Sequence, residues 1–334
     1  MPSLAAALSR VPSARLATLP TPLERGPLLP GGARLWVKRD DLTGLGMGGN
    51  KVRKLEPLCG AALAEGADVL VTVGAAQSNH CRQTAAAGAV LGLPVHLVLG
   101  GPAGALEGNQ ALSALFGAVA HHVDTHDWAA LGAAADALAD ELRGAGRRPW
   151  TIPIGGSTPL GAVGLAAAFA EAAAQWEALG VRPRAVVHTT SSGGTHGGLV
   201  AGRAALAAEG RPVPDVVAIG VAPGVVRHPS VTTGLARGCL DLLGLDPALV
   251  GDDDVEVVDA MGVDYAVPSE AGDAAIRWAA RHGGWVLDRT YTGKGFGGLL
   301  SLCTAGRFGP GDDVVFWHTG GQPAVFAAGG LPEL

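Results

Sequence analysis

Short apolar runs alternate along this chain with longer Ala- and Leu-rich stretches at helical period. An unbroken run of branched aliphatic residues suits a strand covered on both faces, and such strands assemble into parallel sheets between helical layers. The pattern predicts an α/β fold, with strands over 35–38, 69–73, 95–99, 118–123, 185–190, 216–221, 255–258 and 314–317 and helices between most of them. Residues 101–106, GPAGAL, read as a simple connection. Residues 222–238, APGVVRHPSVTTGLARG, read as a longer irregular segment after a strand, the kind of loop that carries specificity. No internal repeat or low-complexity linker separates independent halves. A second lobe is therefore expected to be woven into the first by two crossings of the chain, near residues 48 and 159. This places a smaller α/β domain over 49–158 and a larger one over 1–48 with 159–334, each a mostly parallel twisted sheet flanked by helices.

The 334 residues are 48% hydrophobic and 16% charged, enough apolar surface for a large core shared between two such lobes. A formal charge of -6 with no run of Lys or Arg offers a polyanion no footprint, so nucleic acid is not an expected partner. The opening MPSLAAALSR holds one short apolar run broken by Arg10, too brief for a secretory core, and no later stretch reads as an uninterrupted membrane span. A soluble cytoplasmic protein is expected. Cys59, Cys81, Cys239 and Cys303 lack CxxC spacing, which argues against disulfides and a structural zinc, and no metal site is expected.

Five segments carry candidate chemistry. KRDDLTGLGMGGNKVRKLE leads from a strand into a helix whose first turn holds Lys51, Arg53 and Lys54. A helix N-terminus is already partly positive, so three cations there call for an anion such as phosphate, or for an amine neutralised as a Schiff base. A solvated basic helix start is the plain alternative. AAQSNHCRQTAAAG puts Gln77, Ser78 and Asn79 at a strand-to-helix turn whose free amides could hold a carboxylate, although Ser78 also suits an ordinary N-cap. His80 and Cys81 have no ligand companions and read as packing residues. AVVHTTSSGGTHGGLVAG is a strand, a polar glycine-rich turn and a helix, an anion cradle without Walker or GxGxxG spacing. A small phosphate fits it better than a dinucleotide, which counts against a nicotinamide-dependent reductase. The chain's two tyrosines, Tyr265 and Tyr291, each fall in a polar turn after a predicted strand, where a phenol is kept for its hydroxyl or stands at the surface. VVFWHTGGQPAVF ends a strand in a Thr-Gly-Gly turn on the side where open α/β sheets bind ligands.

In this order, GGNKVRKLE, QSNHCRQTAA, GTHGGL, YTGK and HTGGQPAVF resemble the markers of the 1-aminocyclopropane-1-carboxylate deaminase and D-cysteine desulfhydrase family, and the likeness runs from Thr21 to the HTGG turn. The resemblance implies the two-domain, tryptophan-synthase-β-like fold type II of enzymes that use pyridoxal 5'-phosphate. It makes Lys51 the Schiff-base lysine and gives Asn79 to the cofactor's phenolic oxygen. Lys54 and the turn Ser191, Ser192, Gly193, Gly194 and Thr195 would hold the phosphate, with Thr292 and Thr319 also at the cofactor. Gln77, Ser78 and Asn79 would meet the substrate carboxylate, and Tyr265 and Tyr291 would face the reacting carbons. Lys51 is the first candidate for the base, with Ser78 and Tyr291 as alternatives. A homodimer is implied as well.

Within that family the residue after the second tyrosine faces the ring nitrogen, and here it is Thr292, not a carboxylate. A hydroxyl there favours simple β-elimination, and Thr319, where the deaminases tend to carry Leu, points the same way. The expected reaction is D-cysteine to pyruvate, ammonia and sulfide. A cysteate sulfo-lyase is the alternative if Arg289 turns inward, although an arginine there is expected to face solvent. Deamination of the cyclopropane amino acid and a non-catalytic pyridoxal-phosphate carrier complete the alternatives.

Overall fold

Burial on both faces decides where the central strands fall. The computed structural model describes residues 2–333. In chain order its strands are β1 (Leu23–Leu28), β2 (Arg34–Arg39), β3 (Val69–Ala75), β4 (Val95–Gly100), β5 (Val119–Val123), β6 (Pro149–Ile152), β7 (Ala185–Thr190), β8 (Asp215–Gly220), β9 (Glu256–Asp259) and β10 (Asp313–His318). Every residue of β7 is buried, as are the first six of β3, which is the burial of strands between two helical layers. One sheet has the order β1-β2-β10-β7-β8-β9 and the other β5-β4-β3-β6. All pairings are parallel except β1 with β2. The four-stranded sheet is drawn from one continuous stretch of chain, and the six-stranded sheet takes its strands from either side of it.

The eight predicted strands are present, with ends shifted by no more than two residues. Two further strands escaped the pattern for physical reasons. β1 reads LERGPL, a polar sheet-edge strand carrying a proline. β6 is PWTI, four residues long and begun by a proline.

Three expectations are corrected. Residues 222–238 are not an irregular loop: they form the Pro223–Arg227 helix and most of the Ser230–Leu242 helix. Pro223 opens the first helix and Pro229 caps the second, positions where proline starts a helix without breaking it. Val225, Thr232, Thr233, Ala236, Cys239 and Leu240 supply the buried face. The run into Tyr291 is not a strand either, because residues 284–288 have no ladder partner. Arg289 neither turns inward nor faces solvent freely, since its guanidinium bonds the Asp273 carboxylate at 2.6 and 2.9 Å and the Gly329 carbonyl at 2.9 Å.

Candidate active site

The turns after the carboxyl ends of β3, β7 and β10 carry Gln77–Asn79, Ser191–Thr195 and Thr319, at the strand ends where open α/β sheets take their ligands. β7 runs into Ser191–Gly193 and the Gly194–Ala208 helix, and the Lys51–Ala64 helix starts beside it. The buried Lys54 ammonium donates to the Gly155 carbonyl at 3.1 Å and the Ser157 hydroxyl at 3.2 Å. Ser157 Oγ lies 2.8 Å from Ser192 Oγ and accepts the Gly194 N–H at 3.3 Å. A Cβ on Gly194 would stand 2.8 Å from Lys54 Nζ and 2.6 Å from Ser157 Oγ, so only glycine fits. Among the described residues the amides of Ser192, Gly193 and Thr195 find no protein acceptor. Burial, and then the charge of Lys51, push the Lys54 amine well below its ordinary pKa, so the cradle disfavours an ammonium by itself and a bound anion would restore that charge.

The other cations of that helix turn are met differently. Arg53 bonds Asp40 at 2.7 and 2.8 Å and Glu171 at 2.9 and 3.1 Å, so one buried and one half-buried carboxylate answer it and no phosphate is needed. Asp40 also accepts the Trp317 indole N–H at 2.7 Å, and Lys38 donates to the Thr21 carbonyl at 2.7 Å and Gln175 at 2.6 Å. Lys51 opens the helix. Burial lowers its amine from 10.5 to about 8, and among the described residues its Nζ has no hydrogen-bond partner in the protein. The chain holds four lysines, and the other three, Lys38, Lys54 and Lys294, all donate to protein oxygens.

After β3, Ser78 caps the Asn79–Leu91 helix, its hydroxyl accepting the Cys81 N–H at 3.1 Å. The side chain of Gln77 is already engaged, donating to the Glu107 carbonyl at 3.1 Å and accepting the Asn109 N–H at 2.9 Å. Asn109 also donates to Asn79 Oδ1 at 3.0 Å, which turns the amide nitrogen of Asn79 away from that contact. His80 and Cys81 are buried. Asn50 donates to Thr195 Oγ1 at 3.0 Å, and its own N–H bonds the Thr319 carbonyl at 3.0 Å.

The hydroxyls of Tyr265 and Tyr291 hydrogen-bond to each other, with ring centroids 6.1 Å apart. Burial pushes both phenols above their ordinary pKa, Tyr291 furthest. Asp288 holds the turn before Tyr291. Its buried carboxylate accepts the N–H groups of Thr290 at 3.1 Å and of Tyr291 and Thr292 at 2.9 Å, and the Thr292 hydroxyl at 2.7 Å. The Thr292 hydroxyl is thus spent inside the protein, whereas that of half-buried Thr319 meets no protein partner among the described residues.

Contacts join Lys54 to the 191–195 turn through Ser157, that turn to Thr319 through Asn50, and the two tyrosines to each other. Sequence reasoning missed Asn50, Ser157, Asn109, Thr232 and Asp288. Of these, Ser157 had a legible signal, since GGST stands before a proline that opens a helix. Thr232, on the corrected helix, reaches the cradle: its Oγ1 would lie 3.1 Å from a Cβ on Gly193.

The family model described as pyridoxal-phosphate dependent enzyme matches residues 14–320. The chain belongs to this family. A D-cysteine desulfhydrase of Salmonella newport (strain SL254) is 39% identical over 337 residues, covering 96% of this chain and 97% of its own length. The crystal structure of an ACC deaminase homologue aligns with a TM-score of 0.88 at 37% identity, covering 98% of each chain. A threonine deaminase of known structure, at 22% identity and a TM-score of 0.67 over 96% of this chain and 98% of its own, shares the fold. The cofactor is pyridoxal phosphate, and the cationic cradle fits its phosphate by charge and by the close approach that Gly194 permits.

Proposed function

We propose that this protein is a D-cysteine desulfhydrase, which cleaves the Cβ–S bond of D-cysteine to give sulfide, pyruvate and ammonia. The observation that carries the reading is the hydroxyl pair of Tyr265 and Tyr291. Burial keeps both phenols protonated at neutral pH, so the pair can deliver a proton to a leaving thiolate. The D-cysteine desulfhydrase relatives support the same substrate.

Bound in the cradle, pyridoxal phosphate supplies an electron sink that acidifies the substrate α-C–H bond. Lys54, Ser157 and the free amides of Ser192, Gly193 and Thr195 would hold the phosphate. The Lys51 amine, its pKa lowered to about 8 by burial, would hold the cofactor carbonyl and is the first candidate to take the α-proton. Ser78 is the alternative base; Tyr291 fits the proton-donor role better because it stays protonated. Asn79 would offer its amide nitrogen to the ring oxygen, and Ser78 with the backbone of Gln77 and Asn79 would bind the substrate carboxylate. The place at the ring nitrogen that the resemblance gives to Thr292 would fall to the hydroxyl of Thr319, because the Thr292 hydroxyl is taken by Asp288 and positions the turn. Both Asp288 oxygens are taken, so no carboxylate is left to hold the ring strongly protonated. That suits loss of a good leaving group better than opening of a cyclopropane.

The two sheets are read as the cores of two lobes, 49–158 and 1–48 with 159–334, and the resemblance carries a cytoplasmic homodimer into the same reading. The test is release of sulfide and pyruvate by the cofactor-loaded protein from D-cysteine, with L-cysteine, cysteate and the cyclopropane amino acid alongside. Equal sulfide and pyruvate from D-cysteine alone is the expected result. Keto acid from another member of the panel, with none from D-cysteine, would overturn the substrate, and no product from any would favour a non-catalytic carrier.

A further inference from the structure

Lys294 is 1% exposed, and its hydrogen-bond partners are two backbone carbonyls, those of Met261 at 2.6 Å and Asp264 at 3.0 Å. A methionine would fill a similar volume without the cost of desolvating an ammonium, which burial here drives below its ordinary pKa. What the ammonium adds is a pair of charge-assisted hydrogen bonds to one segment. That segment, residues 260–268, follows β9 and carries Tyr265. Its hydrogen bonds near the tyrosine are otherwise local: the Tyr265 N–H to the Asp264 carboxylate at 2.7 Å, the Met261 N–H to Asp259 at 2.9 Å and the Val267 N–H to the Asp264 carbonyl at 3.3 Å.

The turn does not hold itself by backbone preference. Ala266, directly after the tyrosine, sits at φ 62°, a left-handed conformation that costs an alanine about 1 kcal/mol. Gly262, Val263, Asp264, Ala266 and Val267 are exposed. Lys294 reaches this segment from the Thr292–Thr304 helix, whose N-cap is Tyr291. A single helical turn therefore carries one tyrosine of the pair at its start and the tether of the other at its end.

We propose that Lys294 is a positioning residue for the elimination, fixing the 261–265 segment so that the Tyr265 hydroxyl stays in contact with that of Tyr291. The proposal rests on the reading of the tyrosine pair as the proton donor. It is tested with K294M, Y265F and the double variant as cofactor-loaded proteins, by steady-state kinetics on whichever amino acid of the panel is turned over and by hydrogen exchange. K294M is expected to speed exchange over residues 261–268 while leaving the cofactor absorbance and the rest of the helix unchanged. Its kcat should fall by about 10- to 100-fold with KM moving far less, the scale of a misplaced proton-transfer group. In the Y265F background the same substitution should cost less than about twofold, because its effect runs through Tyr265. K294Q, which keeps an amide donor in reach of the carbonyls, takes its place where the Met variant does not fold. Unchanged exchange over 261–268, or equal losses in both backgrounds, would overturn the tether. Full turnover by Y265F would remove the tyrosine reading and the proposal with it, whereas an impaired Y265F with additive losses would overturn the proposal alone.

Discussion

At the scale of single residues the site turns on which polar groups the fold leaves unpaired. Lys51 has a depressed amine and no protein partner among the described residues, while Lys54 sits one turn on, bonded to one hydroxyl and one carbonyl. The sign of the Lys51 shift gives a pH prediction. Burial penalises the ammonium, so the free amine forms as pH rises through about 8, where an exposed lysine would wait until about 10.5. The rate of cofactor capture by the apoprotein should climb with pH and level off above about 8; a rate still climbing at pH 10 would contradict a buried amine. Lys51, Ser78, Asn79 and the 191–195 turn were legible in GGNK, QSN and SSGGT because each begins a helix, where free amides and unusual charge can be read from order alone. Asn109 and Asp288 were not legible. Their work is to hold Asn79 and the tyrosine turn through contacts that depend on the folded chain.

At the scale of elements, the Lys51–Ala64 helix begins with three cations where the helix dipole disfavours them. Two of the three have distinct partners in the fold, the Gly155 carbonyl and Ser157 hydroxyl for Lys54 and the carboxylates of Asp40 and Glu171 for Arg53. Burial alone would raise the pKa of Glu171, but Arg53 and Lys38 outweigh it and hold that pKa below the ordinary carboxylate value. A depressed carboxylate stabilises the fold above its unfolded pKa and loses that contribution as pH falls through the folded value. Replacing Arg53 by Met leaves Asp40 and Glu171 short of their cation and should cost about 3–5 kcal/mol near neutral pH. Urea unfolding should show the gap from the unsubstituted protein narrowing as pH falls below the ordinary carboxylate range; a gap independent of pH would contradict the assignment. The buried parallel strands were legible because unbroken aliphatic runs have little other use. β1, β6 and the helices within 222–242 were not, since prolines there occupy edge and helix-start positions that local sequence reads as breaks.

At the scale of the whole molecule, the chain passes from one sheet to the other through Gly48 and Gly49 and returns through Gly155 to Thr158, and both passages border the site. Gly48 could not carry a side chain, since its Cβ would fall 1.9 Å from the Asp41 carbonyl oxygen. The stretch that forms the four-stranded sheet also supplies Trp128, whose ring stands edge-on to Tyr265 at 6.1 Å. The chain has four lysines, of which Lys38, Lys54 and Lys294 are buried and bonded to oxygens, while Lys51 has no hydrogen-bond partner among the described residues. The most direct test of the account is borohydride reduction of the cofactor-loaded protein followed by peptide mapping. The pyridoxyl label is predicted on Lys51 alone. A label on Lys54, or a cofactor that reduction does not fix to any lysine, would contradict it.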